Sequence, residues 1–534
     1  MTKDILLLDE DDRPRFTRLS DAEGVRVVPA YWGKKPARAY PVKDVHFLIL
    51  PAYARYNDQA PLAPAEGPRK VLNRDLLFFP LGYSQVISSL RQFTIHRIEV
   101  LDPYAEYVEM GSLQHWLEQE YARRGLTSPD YLLIGGMSTS WPVIKQAVGA
   151  VRNVFPSTKI VCGGTVAGLH HELLLKKLSV DIAVTGEAEF ITADLFHHLD
   201  DFRNVQGIAF LDQTGNVVRN ASPAPHDLND APEPAWDLFN TSEYIASGKR
   251  YVGYRGLPIN TSMGCPYACR FCYVPGGRNM RYLTTDNVVD RMQRLKDRFN
   301  LDYIAFYDDI LFVDKGWMEE LGEKLVKSRL NVMFMGSSRV NLFGEKDVSL
   351  LRLLRKAGLV RIAFGMESGS PKVLKNMGKN GVSPEKSRST LRLVRETGIR
   401  GTANMILGFP GETPETIRET VDFCKENLLH PSFYLLQPFP GTDVYDKYVR
   451  EQYDEEAYLE IMADYRDGEK LPINLTSIPD EELMRLKQQA EAEMKKFYLG
   501  RYLRYYGWKT PRHAARDAWN EAHRWMRGSM FATP

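Results

Sequence analysis

The chain has 534 residues, 44% hydrophobic and 26% charged. These values are near the globular average, so disorder and low complexity are excluded for most of it, and about 150 residues per domain suggests about three domains. Lys+Arg 69 against Asp+Glu 68 leaves +1, which argues against a nucleic-acid partner held by bulk positive charge.

The amino terminus has only four apolar residues, Ile5 to Leu8, before an acidic cluster. That is too short for a signal-peptide core, and no apolar run approaches the ~20 residues of a membrane span. A cytoplasmic chain with reduced thiols is expected. Residues 1–43 read as an irregular, Pro-rich and basic extension. From 44 to 200, short apolar runs (His46–Leu50, Arg97–Leu101, Tyr131–Gly135, Lys159–Cys162, Asp181–Val184) alternate with helical spacing (Tyr83–Phe93, Leu113–Arg123, Pro142–Val154, Leu169–Leu178). Strands alternating with helices imply a doubly wound parallel sheet, whose ligands bind at the carboxyl ends of the strands. Residues 201–250 read as a β-hairpin over Gly207–Arg219 followed by a linker carrying Pro223, Pro225, Pro232 and Pro234.

A second alternation fills 251–445. Strands are expected at Ile259–Met263, Tyr303–Tyr307, Val332–Ser337, Arg361–Met366, Thr402–Leu407 and Phe433–Gln437, with helices over 285–298, 315–328, 346–357, 385–397 and 414–427. Spacings of about 30–40 residues point to a partial (βα)6 barrel, two units short of a full one. Residues 446–534 read as helical, with a helix from Asp480 to Tyr498 and a tail to about Arg527.

Three of the five cysteines lie within the run Gly264-Cys265-Pro266-Tyr267-Ala268-Cys269-Arg270-Phe271-Cys272-Tyr273, as C-x3-C-x2-C. The run follows a barrel strand, on the catalytic face. Three thiolates on one loop can hold three irons of a [4Fe–4S] cube and leave the fourth open. Zinc is the alternative, but structural zinc takes four ligands and no second Cys or Cys/His pair is nearby. Cys162 and Cys424 read as small buried residues.

This spacing, with an aromatic residue after the third Cys, resembles the radical S-adenosylmethionine (SAM) superfamily over roughly residues 255–440. The resemblance implies that SAM chelates the open iron and that one electron cleaves it to a 5′-deoxyadenosyl radical. It also implies a SAM pocket at the strand ends, with Tyr273, Asp309, Ser337, Arg339, Glu367 and Asn404 as candidates. Asp309 suits the SAM ammonium; its structural alternative is a helix cap before Lys315. Arg339 suits the SAM carboxylate through a bidentate pair, or forms a rim ion pair. Glu367 lies in Gly365-Met366-Glu367-Ser368-Gly369, which is similar to the family's GxESGS segment and suits the ribose hydroxyls or the amine. Asn404 opens a segment like that beside the adenine, in which Gly411-Glu412-Thr413 is alternatively a turn and cap.

Residues 45–190 resemble the cobalamin-binding domain found upstream of many such barrels. The matching segments are Phe79-Pro80-Leu81-Gly82, Gly136 to Ser140, Val161 to Gly164 and Val184 to Glu189. The resemblance makes Ser138, Thr139, Gly163, Gly164, Gly186 and Glu187 cobalamin-contact candidates. The Asp-x-His-x-x-Gly pattern is absent, since His170-His171 lacks the flanking residues, so no histidine is expected on cobalt. A degenerate domain without cobalamin is the alternative.

Together these resemblances imply a cobalamin-dependent radical SAM enzyme, a class B methyltransferase acting on an unactivated carbon. The alternative with the same domains is an oxidative cyclase or ring-rearranging enzyme. A plain electron carrier fits less well, since carriers favour four Cys. The partners implied are a small-molecule or peptide substrate and an external flavodoxin- or ferredoxin-like electron donor.

Overall fold

The computed structural model of the protein describes residues 42–51, 77–463 and 471–507. The expected extension up to residue 41 and the tail beyond 507 lie outside these residues. The chain divides into two compact units, one containing Pro80–Thr241 and the early strand, the other running from Ser242 onward.

The first unit is a seven-stranded sheet in the order β2-β1-β3-β4-β5-β6-β7. Its strands are β1 (Asp44–Leu48), β2 (Arg97–Leu101), β3 (Tyr131–Gly135), β4 (Lys159–Gly163), β5 (Ile182–Val184), β6 (Ile208–Leu211) and β7 (Val217–Arg219). β1 to β5 are parallel, and β6 and β7 are antiparallel. The helices Leu81–Phe93 and Ala188–His197 pack together, as do Leu113–Arg124 and Trp141–Val154. The central strands β3 and β5 are apolar because helices bury the middle of the parallel sheet. The order 2-1-3-4-5 reverses at β1, so the ligand crevice of this doubly wound sheet lies at the carboxyl ends of β1 and β3.

Two features of residues 201–250 differ from the sequence reading. The hairpin does not stand apart from the sheet; β6 pairs with β5 and extends it. The Pro-rich stretch after it is docked along the helix Leu81–Phe93. Ser88 Oγ donates to Glu233 O at 2.5 Å, Ala235 N to Ser84 O at 3.2 Å, and Arg91 pairs with Asp237 at 2.6 Å. Proline supplies no backbone donor, but its carbonyl and its neighbours' polar groups still bond, and that holds the segment down.

The second unit holds six parallel strands in the order β15-β14-β13-β12-β11-β8, with no closure between the two ends, so the partial barrel is open. They are β8 (Gly256–Ile259), β11 (Tyr303–Phe306), β12 (Met333–Arg339), β13 (Leu359–Glu367), β14 (Arg400–Leu407) and β15 (His430–Leu435). A ribbon of β9 (Ser262–Met263) and β10 (Arg281–Tyr282) intervenes. Helices Thr285–Phe299, Lys315–Ser328, Val348–Ala357, Pro384–Glu396 and Pro414–Glu426 alternate with the strands. Side-chain caps start several of them: Thr284 accepts from Asn287 N, Asp314 from Trp317 N, Ser383 from Lys386 N and Thr413 from Thr416 N. Side chains alternate between the two faces of a strand. Gly401 looks toward Phe364 and Leu391 of the helix Pro384–Glu396, so Phe306, Phe334 and Phe364 lie on the helix-covered face. The opposite face carries Tyr303, Met335, Arg361, Thr402 and Asn404, paired across the strands.

The first barrel strand ends at Ile259 instead of running to Met263. Buried Asp308 takes the amides of Thr261 and Ser262, at 2.6 and 3.0 Å, and so removes them from the ladder. Beyond β15 come helices Asp443–Tyr448, Glu455–Ala463 and Asp480–Gly507. The last is tied to Pro414–Glu426 by Arg418 and Lys425, both paired with Glu493.

Candidate active site

The cysteine loop is closed at its neck by the β9–β10 ribbon, and Cys265 N donates to Gly277 O at 3.1 Å. Its far side is docked on the segment after β13. Arg270 N donates to Met377 O at 3.0 Å, Arg270 Nη1 to Asn376 O at 3.1 Å, and Val444 N to Arg270 O at 3.1 Å. Cys265, Cys269 and Cys272 are half-buried and free of disulfides. Burial raises the Cys265 thiol, and raises Cys272 to about 12, with the other cysteines and Asp309 adding repulsion in both cases. Cys265 and Cys272 are therefore poor acids alone, but a thiol becomes a thiolate when cationic iron supplies the missing charge. Among the described residues, no three His, Cys, Asp or Glu side chains converge on a single metal ion. Three thiols on one loop, with no fourth Cys beside them, suit three irons of a [4Fe–4S] cube better than a four-ligand zinc.

The SAM candidates fall at the carboxyl ends of consecutive strands. Asp309, after β11, is solvent-exposed and is not a helix cap; Asp314 caps the helix from Lys315. Desolvation raises the Asp309 carboxyl, opposed by a bond from the Gly264 amide. Arg339, at the end of β12, is buried and, among the described residues, forms no ion pair. Its Nη2 donates to Asn380 O at 2.7 Å, its guanidinium lies 4.1 Å from the Tyr267 ring centroid, and its Nε has no hydrogen-bond partner. Ser337, half-buried on β12, uses its carbonyl to accept from Leu311 N. Asn404, half-buried on β14, sits opposite Gly365 and Ser432. Tyr273, half-buried, gives its carbonyl to the Cys272 thiol at 3.8 Å.

Glu367 ends β13 in a left-handed conformation, φ 69°, at a register shift against β14. A non-glycine residue held this way carries strain of about 1–3 kcal/mol. Lys379 pairs with its carboxylate at 3.0 Å, both side chains buried, and donates to Gly365 O at 2.7 Å. Lys379, Tyr267 and Asp308 are site residues that sequence reasoning passed over. No periodicity marks Lys379, which lies in a loop. Asp308 adjoined the favoured Asp309 and carries an elevated carboxyl, about 6, through desolvation. Orphaned polar atoms of buried side chains cluster at these strand ends: Arg339 Nε at the end of β12, Asn341 Oδ1 just after it and Gln437 Nε2 after β15. Buried polar atoms without partners are rare, so this mouth fits a polar ligand such as SAM.

The first unit's candidates present a different surface. Ser138 and Thr139 are buried after β3, and Ser138 Oγ lies 2.9 Å from Nε2 of buried His170. His170 sits at a kink in the helix Gly164–Lys177, which begins at Gly164, where a longer turn was expected. Gly164, φ 81°, packs so closely that a Cβ would meet Gly136 O at 2.4 Å. A Cβ on Gly163 would meet nothing within 4 Å, so this strand end is open. Gly186 is filled from inside, since its Cβ would meet Ile191 at 2.8 Å. Glu187 pairs with His226 at 3.1 Å. A surface cavity lined by Lys43, Asp44, Asp130 and Lys159 opens at the opposite, amino ends of the strands, where those charges pair among themselves and with their neighbours.

An open (βα)6 barrel with three free thiols on the loop after its first strand, and charged groups at the next strand ends, defines an iron–sulfur enzyme that binds a polar cofactor at the barrel mouth. Residues 259–424 match the radical SAM superfamily. It is similar to an uncharacterized methyltransferase of Pyrococcus horikoshii, 28% identical over 69% of this chain and 78% of the relative. It is also similar to the anaerobic magnesium-protoporphyrin IX monomethyl ester cyclase of Cereibacter sphaeroides, 27% identical over 64% of this chain and 57% of that relative. Among solved structures it resembles the radical SAM methyltransferase TsrM of Kitasatospora setae, with cobalamin and a [4Fe–4S] cluster bound. The TM-score is 0.58 at 18% identity, covering 76% of this chain and 74% of that one, a likeness of fold. No helix among the described residues is long and apolar enough to cross a membrane.

Proposed function

We propose that this chain is a cobalamin-dependent radical SAM methyltransferase that modifies an unactivated carbon of a small-molecule or peptide substrate. The observation that carries this reading is the pairing, in one chain, of the three-thiol barrel loop with a doubly wound sheet whose β4 end is open at Gly163. A relative named a methyltransferase and a fold neighbour solved with cobalamin support it. When bound, the cluster with SAM supplies a carbon-centred radical, and cobalamin supplies a carrier for the methyl group.

In this reading Cys265, Cys269 and Cys272 hold the cluster. Asp309 faces the SAM ammonium, Arg339 and Asn404 fix its polar ends, and Glu367, held by Lys379, receives the ribose hydroxyls. Ser138, Thr139, Gly163, Gly164, Gly186 and Glu187 form the floor of the cobalamin site, with Gly163 the point of entry. The electron comes from a flavodoxin- or ferredoxin-like donor in the reducing cytoplasm. The cyclase relative favours a second reading, oxidative ring closure with the same cofactors. Anaerobic reconstitution with iron and cobalt analysis tests the cofactors. Product mass separates the two outcomes: methyl transfer adds about 14 Da, and ring closure does not. No cobalt retained by a chain with a full cluster would remove the methyltransferase reading and leave the radical SAM assignment standing.

A further inference from the structure

The barrel face opposite the helices carries a cation that the cofactor site does not use. Arg361, third residue of β13, is 7% exposed. Its Nη2 lies 3.4 Å from Tyr303 Oη and 2.6 Å from Met335 Sδ, and its buried Nε has no hydrogen-bond partner. No carboxylate pairs with it among the described residues. Around it lie the buried Tyr254, Tyr303, Ala305, Met335 and Ala363. Tyr254 and Tyr303 are stacked with centroids 5.9 Å apart, and Gly256 leaves room for the Tyr303 ring.

A guanidinium does not shed its charge in a protein, and a thioether is a weak acceptor. Burying an unpaired cation is strongly unfavourable, and an apolar lining offers little to hold a compensating water. Arg400 stands directly opposite Arg361 across the β13–β14 register. The lone polar atom of Arg361 points to a missing group, an anion from outside the chain.

Position along the strand says what the anion belongs to. Gly365, beside the Glu367–Lys379 pair, is four residues further along the same strand and on the same face. At about 3.3 Å per residue it lies about 13 Å away. A molecule anchored at Arg361 by one end therefore presents a carbon near the cofactor mouth at the other. We propose that the barrel takes an anionic substrate, a small organic carboxylate or phosphate ester, whose oxyanion is bound by Arg361 with Arg400 beside it. This deepens the proposed function and rests on it for the word substrate; the anion site itself rests on the geometry alone.

The test uses the full chain with its cluster reconstituted. Thermal melting is followed in inorganic phosphate, in acetate and in chloride at equal ionic strength, for the wild type, Arg361→Met and Arg361→Lys. Phosphate or acetate is expected to raise the wild-type melting temperature above its value in chloride, and the stronger of the two identifies the anion class. Arg361→Met should weaken the apparent anion affinity about tenfold or more, as loss of a charge-assisted bond does, while Arg361→Lys keeps part of it. Iron content and SAM affinity are read on the same samples and should not move. An equal anion effect in wild type and Arg361→Met, or none in the wild type, overturns the site. If Arg361→Met loses its iron, wild-type crystals soaked in bromide decide: an anomalous peak against Arg361 Nε supports the site, and no peak there overturns it. Cobalt retention is measured separately, so a failed cobalamin assignment and a failed anion site give different results.

Discussion

The two units put their candidate ligand sites at the same place, the carboxyl ends of parallel strands, and build them in opposite ways. In the barrel unit the strand ends hold charge and strain: Glu367 at φ 69° against Lys379, and buried Arg339 with an orphaned Nε. In the doubly wound unit the polar groups mostly satisfy one another. Ser138 meets His170, the Tyr83 hydroxyl and Gly135 exchange bonds at 2.7 Å, and Glu187 meets His226. What remains there is shape, a bare backbone at Gly163. A small charged cofactor is gripped by directed polar groups, whereas a large flat one with a long tail needs backbone kept out of its way. Polar substitutions should therefore damage the first site, and steric ones the second.

The largest effect expected is at the thiols. Alanine at Cys265, Cys269 or Cys272 should abolish the brown chromophore and all reductive cleavage of SAM, because each removes one of the three thiols of the proposed cluster site. Alanine at Cys162 or Cys424 should leave the iron content intact, since both are buried and their thiols are raised by desolvation alone. SAM cleavage surviving in Cys269→Ala would defeat the radical mechanism.

The next effect is steric. Gly163→Trp should abolish retention of hydroxocobalamin, read by cobalt per chain, with iron unchanged. Gly163 has φ −121° and open space at its Cβ, so the substitution fills the opening without straining the backbone. Gly164→Ala is the informative contrast. Its φ of 81° and the 2.4 Å approach to Gly136 O predict a misfolded first unit. Cobalt bound normally by Gly163→Trp would show that shape at β4 does not define this site.

These contrasts also explain what could be read in the sequence. The three-Cys loop was legible because its chemistry needs fixed residue types at fixed spacing. The strand–helix alternation was legible because burial on both faces imposes apolar runs at regular intervals. The second site was legible only as glycines, and these turned out unequal: Gly163 is open, Gly164 is jammed against Gly136, and Gly186 backs onto Ile191. A letter in a sequence does not say which side its missing Cβ would face. Lys379 escaped notice because its partner Glu367 is twelve residues away, across the short helix Pro371–Asn376. The hairpin at Ile208–Arg219 read as a break in the pattern, since antiparallel edge strands join a parallel sheet without changing their own local signal.

Charge removal in the barrel unit should have an intermediate effect. Glu367→Gln should weaken SAM binding about tenfold or more, from one lost charge-assisted interaction, at normal iron content. Lys379→Met removes the opposite member and leaves a buried carboxylate unpaired, at a cost of about 3–5 kcal/mol. It should lower the melting temperature as well as SAM affinity. Unchanged SAM affinity in both variants would move the pocket away from β13.

The smallest effect separates a structural carboxylate from a ligand-binding one in the same row of strand ends. Glu412 is fully buried, and its Oε2 accepts from Gly408 N at 2.5 Å. Desolvation raises its carboxyl to about 8 against the opposing pull of the Gly408 and Phe409 amides. Between its ordinary value near 4.5 and about 8, the folded chain keeps a proton that the unfolded chain has lost. Its contribution to stability is therefore full below the lower value and declines as pH rises, by at most about 1.4 kcal/mol per pH unit, levelling off above about 8. Gln at this position can accept the same amides and does not titrate. The melting temperature of Glu412→Gln should gain on the wild type steadily from pH 5 to pH 8, with SAM affinity unchanged. Parallel pH profiles would mean that Glu412 is ionised in the fold and faces a cation, and it would then join Glu367 among the groups that hold the cofactor.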